Sequence, residues 1–205
     1  MVRRVAHSVD EAGAHPRPGP VDGAEGAVEA PGGQDGQANQ ALSVALSTPV
    51  PLTAAHLTAD FYCGEPSLDD SLKRRALANH LSGASRSFVV ADDGLQVGGH
   101  YALAAGAVSH EMATPRVRRD MPDPVPVMVL ARLAVERRFH SQHLGAALLQ
   151  DAVQRVRAVA NQAGVRALLV HALHQRAKSF YEHHGFQASP THSPMLLLRL
   201  GAAKG

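Results

Sequence analysis

The sequence has 205 residues, 45% of them apolar and 19% charged, a composition typical of a folded globular chain. The formal net charge is only +2, so a site for a polyanion has to be a local patch rather than a property of the whole surface. The sequence has no apolar run long enough to cross a bilayer and does not begin like a secretory signal, and its single cysteine, Cys63, cannot form an internal disulfide; these features predict a cytoplasmic protein.

The first 48 residues differ in composition from the rest of the chain. They are rich in Gly, Ala, Pro and Asp, and no Phe, Tyr or Trp precedes Phe61. Such a segment cannot bury enough apolar surface to offset the entropy lost on ordering it. Residues 1–48 are therefore predicted to be a disordered extension, or upstream sequence included through a wrong start codon, and residues 49–205 a single domain.

From residue 49 onward, apolar blocks alternate with turn signals, which predicts regular secondary structure. Ser67, followed three residues later by Asp70, indicates a capping box at the start of a helix over residues 68–80. The further elements expected, in chain order, are strand 86–91, a hairpin turn at 92–94, strand 97–108, strand 125–135, helix 144–161, strand 165–173, helix 176–184 and strand 195–200.

The alternation of strands and helices in the second half predicts an α/β layer. Strands 125–135 and 165–173 are nearly continuous apolar runs, so we expect them to be buried and parallel, joined by a crossover helix. Gly164 and Gly185 are expected to end the two later helices. The inner face of helix 144–161 is predicted to consist of Leu144, Leu148, Ala152, Val156 and Val159.

A strand, a basic turn and an amphipathic helix follow one another in LARLAVERRFHSQHLGAALLQDAV, residues 130–153. A helix N-terminus reached by a tight turn presents backbone N–H groups and the positive end of the helix dipole, which suit a pyrophosphate. Arg137 and Arg138 add positive charge nearby. Taken alone, this arrangement is more often a plain connection between a strand and a helix.

These segments resemble the GNAT superfamily of N-acetyltransferases. Residues 130–153 are similar to its motif A, and VRALLVHALHQRAKSFYEHHGF, residues 165–186, to its motif B with the ending FYxxxGF. Over roughly residues 49–200, the blocks FYCGEPSLDDSLKRRA, GASRSFVV, MPDPVPVMVLARLAV and LLVHAL are similar to the acetyltransferase toxins of type II toxin–antitoxin modules. The resemblance implies the GNAT fold, a mixed central sheet with flanking helices, and acetyl-CoA in the splay between two parallel strands.

The same resemblance assigns the cofactor contacts, with the strand backbone pairing to the pantetheine arm and the turn, Arg/Gln-x-x-Gly-x-Gly/Ala, holding the pyrophosphate. Counted from the strand, the first Gln/Arg falls on His140 and the first glycine on His143, while Gly145 agrees; a register shifted by two, over residues 142–147, also satisfies the pattern. A residue other than glycine at 143 is expected to need a negative φ. The implied contacts are Leu133, Ala134, Val135, Gln142, His143, Leu144, Gly145 and Ala146.

Tyr181, in the segment Phe180-Tyr181-Glu182-His183-His184-Gly185-Phe186, is the predicted catalytic residue. A short helix can place Phe180 in the core and direct the phenol of Tyr181 toward the strand splay. With a solution pKa of about 10, a tyrosine is protonated at neutral pH and can donate a proton. The resemblance implies that Tyr181 protonates the departing CoA thiolate; without it, a core tyrosine is the more common explanation.

Two groups of cations are candidates for binding tRNA phosphates. One lies between residues 71 and 91, where no carboxylate occurs, and the other follows Pro115. Clustered cations attract a phosphate backbone through counterion release, although a solvated basic face is the more common explanation of such a group. The predicted tRNA contacts are Lys73, Arg74, Arg75, Arg86, Arg118 and Arg119, with Arg116 beside the last two.

Other reactive side chains are assigned no chemistry. The histidine pairs 140/143, 171/174 and 183/184 have no accompanying Cys or carboxylate set, so no metal site is predicted. Cys63 is interpreted as structural because direct acyl transfer needs no acyl-enzyme. Ser71 occupies the position where relatives of the toxin subfamily often carry Trp, which marks a difference in packing or substrate contact.

The sequence contains no carboxylate that stands out as a general base, which favours an acceptor amine that is already neutral at cellular pH. An α-amine with a pKa of about 7.7–8.0 is partly neutral at cellular pH, whereas a lysine amine near 10.4 is not. The resemblance accordingly implies a toxin that acetylates the α-amine of aminoacyl-tRNA, forms a homodimer and is neutralised by a ribbon-helix-helix antitoxin. The alternatives are a GNAT enzyme acting on a small amine, and a non-catalytic protein that binds CoA or an antitoxin.

Overall fold

A computed structural model describes residues 45–201 as one seven-stranded mixed sheet covered by helices on both faces. The strand order is β1-β2-β3-β4-β5-β7-β6. The elements are β1 Val50–Pro51, α1 Pro66–Ser71, a π-helical turn Leu72–Ala76, α2 Leu77–Ser82, β2 Arg86–Ala91, β3 Val97–Val108, α3 Pro115–Arg118, β4 Val125–Val135, a 3-10 turn Arg137–Phe139, α4 Leu144–Ala163, β5 Ala167–His171, α5 Gln175–His183, β6 Gln187–Ala188 and β7 Met195–Arg199.

The predicted α/β architecture is confirmed. Strands β2, β3 and β4 have the predicted bounds, and β4 and β5 are parallel, whereas the other neighbours in the sheet are antiparallel. Gly164 (φ 66°) and Gly185 (φ 86°) follow α4 and α5 in the left-handed conformation that ends a helix, as predicted. Of the helices within residues 45–201, none has the length and apolar character that crossing a membrane requires.

The start of the first helix differs from the prediction. Glu65 is the N-cap, Pro66 occupies the first helical turn, and no side chain caps the helix, so the predicted Ser67–Asp70 capping box is wrong. Proline sets the start because its fixed φ suits the first helical position and its missing N–H is not needed there. The carboxylate of Asp69 instead accepts a hydrogen bond of 2.9 Å from the amide of Cys63.

The two faces of the sheet are covered by different helices. Tyr101 and Leu103 of β3 pack in one buried cluster with Leu148 of α4, whereas Val108 packs with Val117 of α3 in another. Because successive side chains of a strand alternate between faces, the even-numbered residues of β3 from 100 to 108 share the face that carries α1, α2 and α3. Helices α4 and α5 lie on the opposite face.

The predicted inner face of α4 is correct except at its end. Leu148, Ala152 and Val156 are completely buried and Leu144 is half-buried, but Val159 is 42% exposed. A helix of 20 residues is about 30 Å long, whereas the five residues of β5 span about 17 Å. The last turns of α4 therefore extend past the sheet that would bury them.

Residues just before residue 49 also contact the domain. The amide of Ser47 donates to the carbonyl of Ala91 (2.8 Å), and the Ser47 hydroxyl accepts from the Ala91 amide (3.1 Å). Leu46 packs against the main core cluster. The rest of the predicted N-terminal extension, residues 1–44, lies outside the described residues.

Candidate active site

The candidate site lies where β4 and β5 separate. The two strands pair through three residues each, ending at Val129 and Leu169, whereas β4 continues to Val135. The register between β3 and β4 shifts at one point, because β4 contains an extra residue, Ala131. Such a bulge bends the strand that carries it. Beyond the bulge, β4 stays with β3 and leaves β5, which opens a gap between the parallel strands.

The backbone of β4 faces this gap at alternate residues. The amide of Glu136 donates to the carbonyl of Gly98 (2.8 Å), so the antiparallel ladder directs Ala134 toward β3 and directs Leu133 and Val135 toward the gap. Nε2 of His140 donates to the Val135 carbonyl (3.0 Å). Of the predicted strand contacts, Leu133 and the amide of Val135 therefore face the gap, while Ala134 pairs with β3.

His143 forms the N-cap of α4 in a left-handed conformation, with φ 59° and ψ 10°. The expectation of a negative φ at this position is wrong. Ser141, two residues earlier, also has a positive φ of 61°. Histidine is tolerated here because it enters the left-handed region more readily than β-branched residues do, and the side chain of His143 is exposed rather than packed.

The N-terminus of α4 supplies amide groups that the helix itself does not use. The first hydrogen bond of the helix runs from the amide of Ala147 to the carbonyl of His143 (3.1 Å). The amides of Leu144, Gly145 and Ala146 come before it and have no acceptor within the helix. A Cβ added at Gly145 would meet only a methyl of Val135, at 3.7 Å, so internal packing does not require glycine there. This end of the helix is suited to an anion.

The polar side chains of the turn contact one another. Gln142 donates to the carbonyl of Arg138 (3.0 Å), and Arg138 forms an ion pair with Glu136 at 2.7 Å. The guanidinium of Arg137 lies 5.9 Å from the centre of the Tyr62 ring. The side chains of the turn that precedes α4 are therefore bonded to one another. The side-chain amide of Gln142, a predicted cofactor contact, is used in a hydrogen bond within this turn.

A cavity of about 550 Å³ extends from this N-terminus along α4 toward the end of α5. It is lined mostly by the exposed side of α4. The basic groups around it are His143, Arg157 and His184, and none of the residues 45–201 that line it is acidic. The described residues of its lining are His143, Ala146, Ala147, Leu149, Gln150, Val153, Gln154, Arg157, His184, Phe186 and Leu198.

Tyr181 of α5 is completely buried. It precedes, by three and five residues in the sequence, His184 and Phe186, which line this cavity. Its backbone carbonyl accepts from the amides of the cavity residues His184 (3.0 Å) and Phe186 (3.1 Å). Its ring packs edge to face with Phe180 (5.2 Å) and Phe186 (5.3 Å), and Phe180 is half-buried rather than central to the core. Burial raises the pKa of Tyr181 well above its ordinary value, so the phenol keeps its proton.

A groove of about 540 Å³ reaches the bulge from the opposite face, between the first helices and strands β2 to β4. Arg75 of the π-helical turn and Arg132 of β4 line it, and its lining contains no acidic residue from the described part of the chain. Nε of Arg132 donates to Ser71 Oγ (3.0 Å) and Nη1 donates to the carbonyl of Ala131 (2.6 Å). Burial, with a smaller contribution from the charge of Arg75, lowers the pKa of Arg132.

The other predicted tRNA contacts are exposed, but the structure does not gather them in one place. Arg74 pairs with Asp70 at 3.4 Å, Arg86 donates to the carbonyl of His80 (2.9 Å), and Arg118 donates to that of His110 (3.2 Å). Only Arg75 of the first group lines the groove, whereas Lys73 and Arg74 lie outside its lining. Arg119 lines a different cavity, at the entry to β5.

Sequence reasoning missed Arg132 and the role of Ser71. The signal was present, since Arg132 is the one charged residue in the apolar strand VPVMVLARLAV. A lone charge in a buried strand has to be hydrogen-bonded, and the partner is the serine that replaces a bulky residue expected at position 71. Among residues 45–201 there is no group of three or more His, Cys, Asp or Glu side chains placed to hold a metal ion.

Comparisons with known proteins bear on this site. The acetyltransferase (GNAT) domain family matches residues 83–188. A tRNA-acetylating toxin of Mycobacterium tuberculosis (strain ATCC 25618 / H37Rv) is 51% identical over 158 residues, which cover 77% of this chain and 95% of that protein.

Two solved structures of the AtaT toxin have the same fold. One, AtaT complexed with acetyl-methionyl-tRNAfMet, is 25% identical with a TM-score of 0.70 and covers 76% of this chain and 95% of that chain. The other, a mutant of AtaT bound to the C-terminus of the antitoxin AtaR and acetyl-CoA, is 25% identical with a TM-score of 0.64 and covers 76% of this chain and 93% of that chain.

Proposed function

The chain belongs to the GNAT acetyltransferase family, and from this premise we propose that it transfers the acetyl group of acetyl-CoA to the α-amine of an aminoacyl-tRNA, as the toxin of a toxin–antitoxin module. It is an N-acetyltransferase with acetyl-CoA as its acyl donor. The substrate assignment is supported by the relative that is named a tRNA-acetylating toxin, together with the chemistry of the groove on the α1 face of the sheet.

The groove lined by Arg75 and Arg132 is the observation that carries the substrate assignment. Two guanidinium groups without a carboxylate favour an anion and repel a polyamine or an aminoglycoside. An aminoacyl-tRNA carries its reactive amine about eight bonds from the phosphate of its terminal nucleotide. The groove can therefore hold the terminal phosphate while the amine enters the gap between β4 and β5 beside Ala131. An enzyme that acts on a small amine would have no use for the two arginines of this groove.

Residues of β4 and α4 fit the acyl donor. The amide and carbonyl of Leu133 face the gap, and the first amides of α4, at Leu144, Gly145 and Ala146, can bind a pyrophosphate. Arg157 supplies positive charge along the adjoining cavity. Acetyl-CoA supplies an acyl group activated as a thioester, and these residues would hold its phosphates and its pantetheine arm.

Tyr181 is proposed to be the general acid. A phenol is protonated at neutral pH, and Tyr181 is proposed to give its proton to the sulfur as the C–S bond breaks and the new N–C bond forms. The α-amine enters in its neutral form because its pKa, about 7.7–8.0, is close to cellular pH. It loses one of its two protons to water as the amide forms, and a proton from water restores the phenol of Tyr181, so the reaction balances. A dedicated carboxylate base is not required for such an amine.

The partners follow from the same proposal. We propose that the protein forms a homodimer and is neutralised by a ribbon-helix-helix antitoxin, with tRNA contacts from Lys73, Arg74, Arg75, Arg86, Arg118 and Arg119. An AtaT structure that includes the C-terminus of its antitoxin supports the antitoxin. Light scattering of the purified protein tests the dimer, and a solution mass equal to one chain contradicts it.

The deciding experiment incubates the purified protein with acetyl-CoA and a mixture of charged tRNAs, and then identifies the released amino acids by mass spectrometry. We expect N-acetylated amino acids, and we expect Tyr181→Phe to lower kcat by about 100-fold while KM for acetyl-CoA stays the same. Tyr62→Phe is the matched control, because Tyr62 is 48% exposed. Acetylation of free polyamines but not of charged tRNA would assign the enzyme to small amines instead.

A further inference from the structure

Four arginines converge at the end of the sheet opposite the gap. They line a cavity of about 380 Å³ formed where β5 begins, β7 ends and α3 lies across the sheet. No acidic side chain is part of its lining as far as residues 45–201 form it. The lining consists of Arg116, Arg119, Arg166 and Arg199 with Gly185, Gln187, Leu197 and Leu198.

Arg166 fixes the geometry of this four-arginine cavity. Its Nε donates to the carbonyl of Val117 (3.3 Å) and its Nη2 to that of Arg119 (3.1 Å), which ties the entry of β5 to α3. Val117 is 1% exposed, so this contact is anchored in the core. Arg166 is therefore held in place by the fold, and the exposed side chains of Arg116, Arg119 and Arg199 surround it.

The charge of this cluster is not compensated within residues 45–201. None of Arg116, Arg119, Arg166 and Arg199 forms an ion pair with a carboxylate of those residues. Like charges held together repel one another, and an external anion relieves that repulsion. Guanidinium forks bind the oxygens of a phosphate in pairs, and four of them around one cavity suit a chain of phosphate diesters, which presents several anionic groups, better than a single carboxylate.

The α3 side of the cavity lies on the face of the sheet that carries the groove of Arg75 and Arg132, whereas Gly185 and Leu198 place its other side next to α5. Ala104 of β3 lines the groove, and Val108, four residues on, packs beside Val117 of α3. Four residues of strand span about 13 Å along the sheet, and the cavity lies two to three strands across from β3, roughly another 10–14 Å. Several nucleotides of an RNA backbone cover this separation, so a single nucleic acid that crosses α3 can contact both sites.

We propose that the four-arginine cavity binds backbone phosphates of the same tRNA whose aminoacyl end occupies the groove. The proposal rests on the proposed function, since it takes the substrate class from there. It adds a second anchoring site, away from the reacting atoms, that recognises phosphate and not base sequence. Binding at this site raises the affinity for a long acceptor and leaves a short one unaffected.

The test compares acetyl transfer to an intact aminoacyl-tRNA with transfer to an aminoacylated trinucleotide that carries only the 3′ end. For the double variant Arg116→Gln/Arg199→Gln we expect KM for the intact tRNA to rise about tenfold and the slope of log KM against log salt concentration to become shallower by nearly two. We expect kcat and the KM for the trinucleotide to stay unchanged. Arg116→Lys/Arg199→Lys, which keeps the charge, is the matched control and should recover most of the affinity.

The outcomes separate this proposal from the proposed function. An unchanged KM for intact tRNA, or an equal rise for the trinucleotide, overturns the second site while transfer itself persists. If the parent protein acetylates neither acceptor, the proposed function fails, and a filter-binding assay with uncharged tRNA then decides whether the cavity binds RNA. A double variant that binds tRNA normally but loses affinity for an antitoxin peptide would assign the cavity to a protein partner and overturn the proposal.

Discussion

The hydroxyl of Tyr101, in the middle of the sheet, donates a hydrogen bond to the carboxylate of Asp151 on α4. Arg155, one helical turn further, bonds the same carboxylate through Nε (2.8 Å) and the carbonyl of Pro49 through Nη2 (2.9 Å). Its guanidinium also lies 4.1 Å from the centre of the Phe88 ring. Asp151 thus connects β3 to α4, the helix that begins at the candidate cofactor site, and Arg155 extends this connection to Pro49.

Asp151→Ala is expected to destabilise the protein by about 1–3 kcal/mol, because it leaves the buried Tyr101 hydroxyl without its acceptor. Tyr101→Phe removes both the donor and its need for a partner, so it should destabilise by less. Urea unfolding at neutral pH measures both effects. Asp70→Ala, which breaks the exposed pair with Arg74, is the control and should change the free energy of unfolding by about 0.5 kcal/mol or less.

His143→Gly is expected to stabilise the protein, because glycine adopts the left-handed conformation at this position without strain. The gain should be about 1 kcal/mol. We also expect a lower KM for acetyl-CoA and an unchanged KM for the acceptor, since the variant clears the amides at the start of α4. Thermal unfolding and initial-rate kinetics provide the measurements, and a higher KM for acetyl-CoA would show that the imidazole contributes to binding.

The reverse change provides a control for the conformational part of that prediction. Gly164 has a φ of 66° at the other end of α4, and a Cβ added there meets no atom within 4 Å. Gly164→Ala should therefore destabilise by about 1–2 kcal/mol through backbone strain alone. It should leave both KM values unchanged, because Gly164 lies far from the turn that precedes α4.

Alkaline pH is expected to destabilise the fold through its two buried tyrosines. Burial raises the pKa of Tyr101 and of Tyr181, so the folded chain keeps these protons at a pH where the unfolded chain, with tyrosine pKa values of about 10, releases them. The free energy of unfolding should be unaffected by them below about pH 10 and should fall as the pH rises beyond it. Urea titrations at successive pH values measure the slope.

Substitution separates the contribution of one tyrosine. Tyr181→Phe removes one titrating group, so its stability should fall less steeply above about pH 10 than that of the parent. Equal slopes for the parent and Tyr181→Phe would mean that the phenol of Tyr181 does not hold its proton more tightly in the folded chain.

Periodicity and local motifs were enough to predict most of the fold. The alternation in RSFVVA and the apolar run from Val125 to Val135 gave strand bounds that agree with the structure, and the helical spacing of Leu148, Ala152 and Val156 identified the buried face of α4. These signals are local, since each depends on which face of a single element is buried.

The features that the sequence did not reveal depend on residues that are distant in the chain. The groove requires Ser71 and Arg132 to meet, 61 positions apart, and the four-arginine cavity joins α3, the entry of β5 and the end of β7. The bulge at Ala131 leaves no compositional mark. The left-handed conformation of His143 was not predicted because a turn can impose a positive φ on a residue that tolerates it.

Arg132→Gln is expected to raise the KM for aminoacyl-tRNA by about tenfold or more, because a charge-assisted contact to phosphate inside a half-buried groove is lost. The KM for acetyl-CoA should not change, since the groove lies on the opposite face of the sheet from α4 and the cavity along it. Ser71→Ala keeps the charge of Arg132 but removes the hydrogen bond that orients it, so the expected rise is smaller, about fivefold for a bond worth about 1 kcal/mol. Ser82→Ala, on the exposed end of α2, is the matched control for the serine substitution. Steady-state kinetics with each substrate varied in turn decide the matter, and an Arg132→Gln enzyme whose KM values both match those of the parent would remove the groove from acceptor binding.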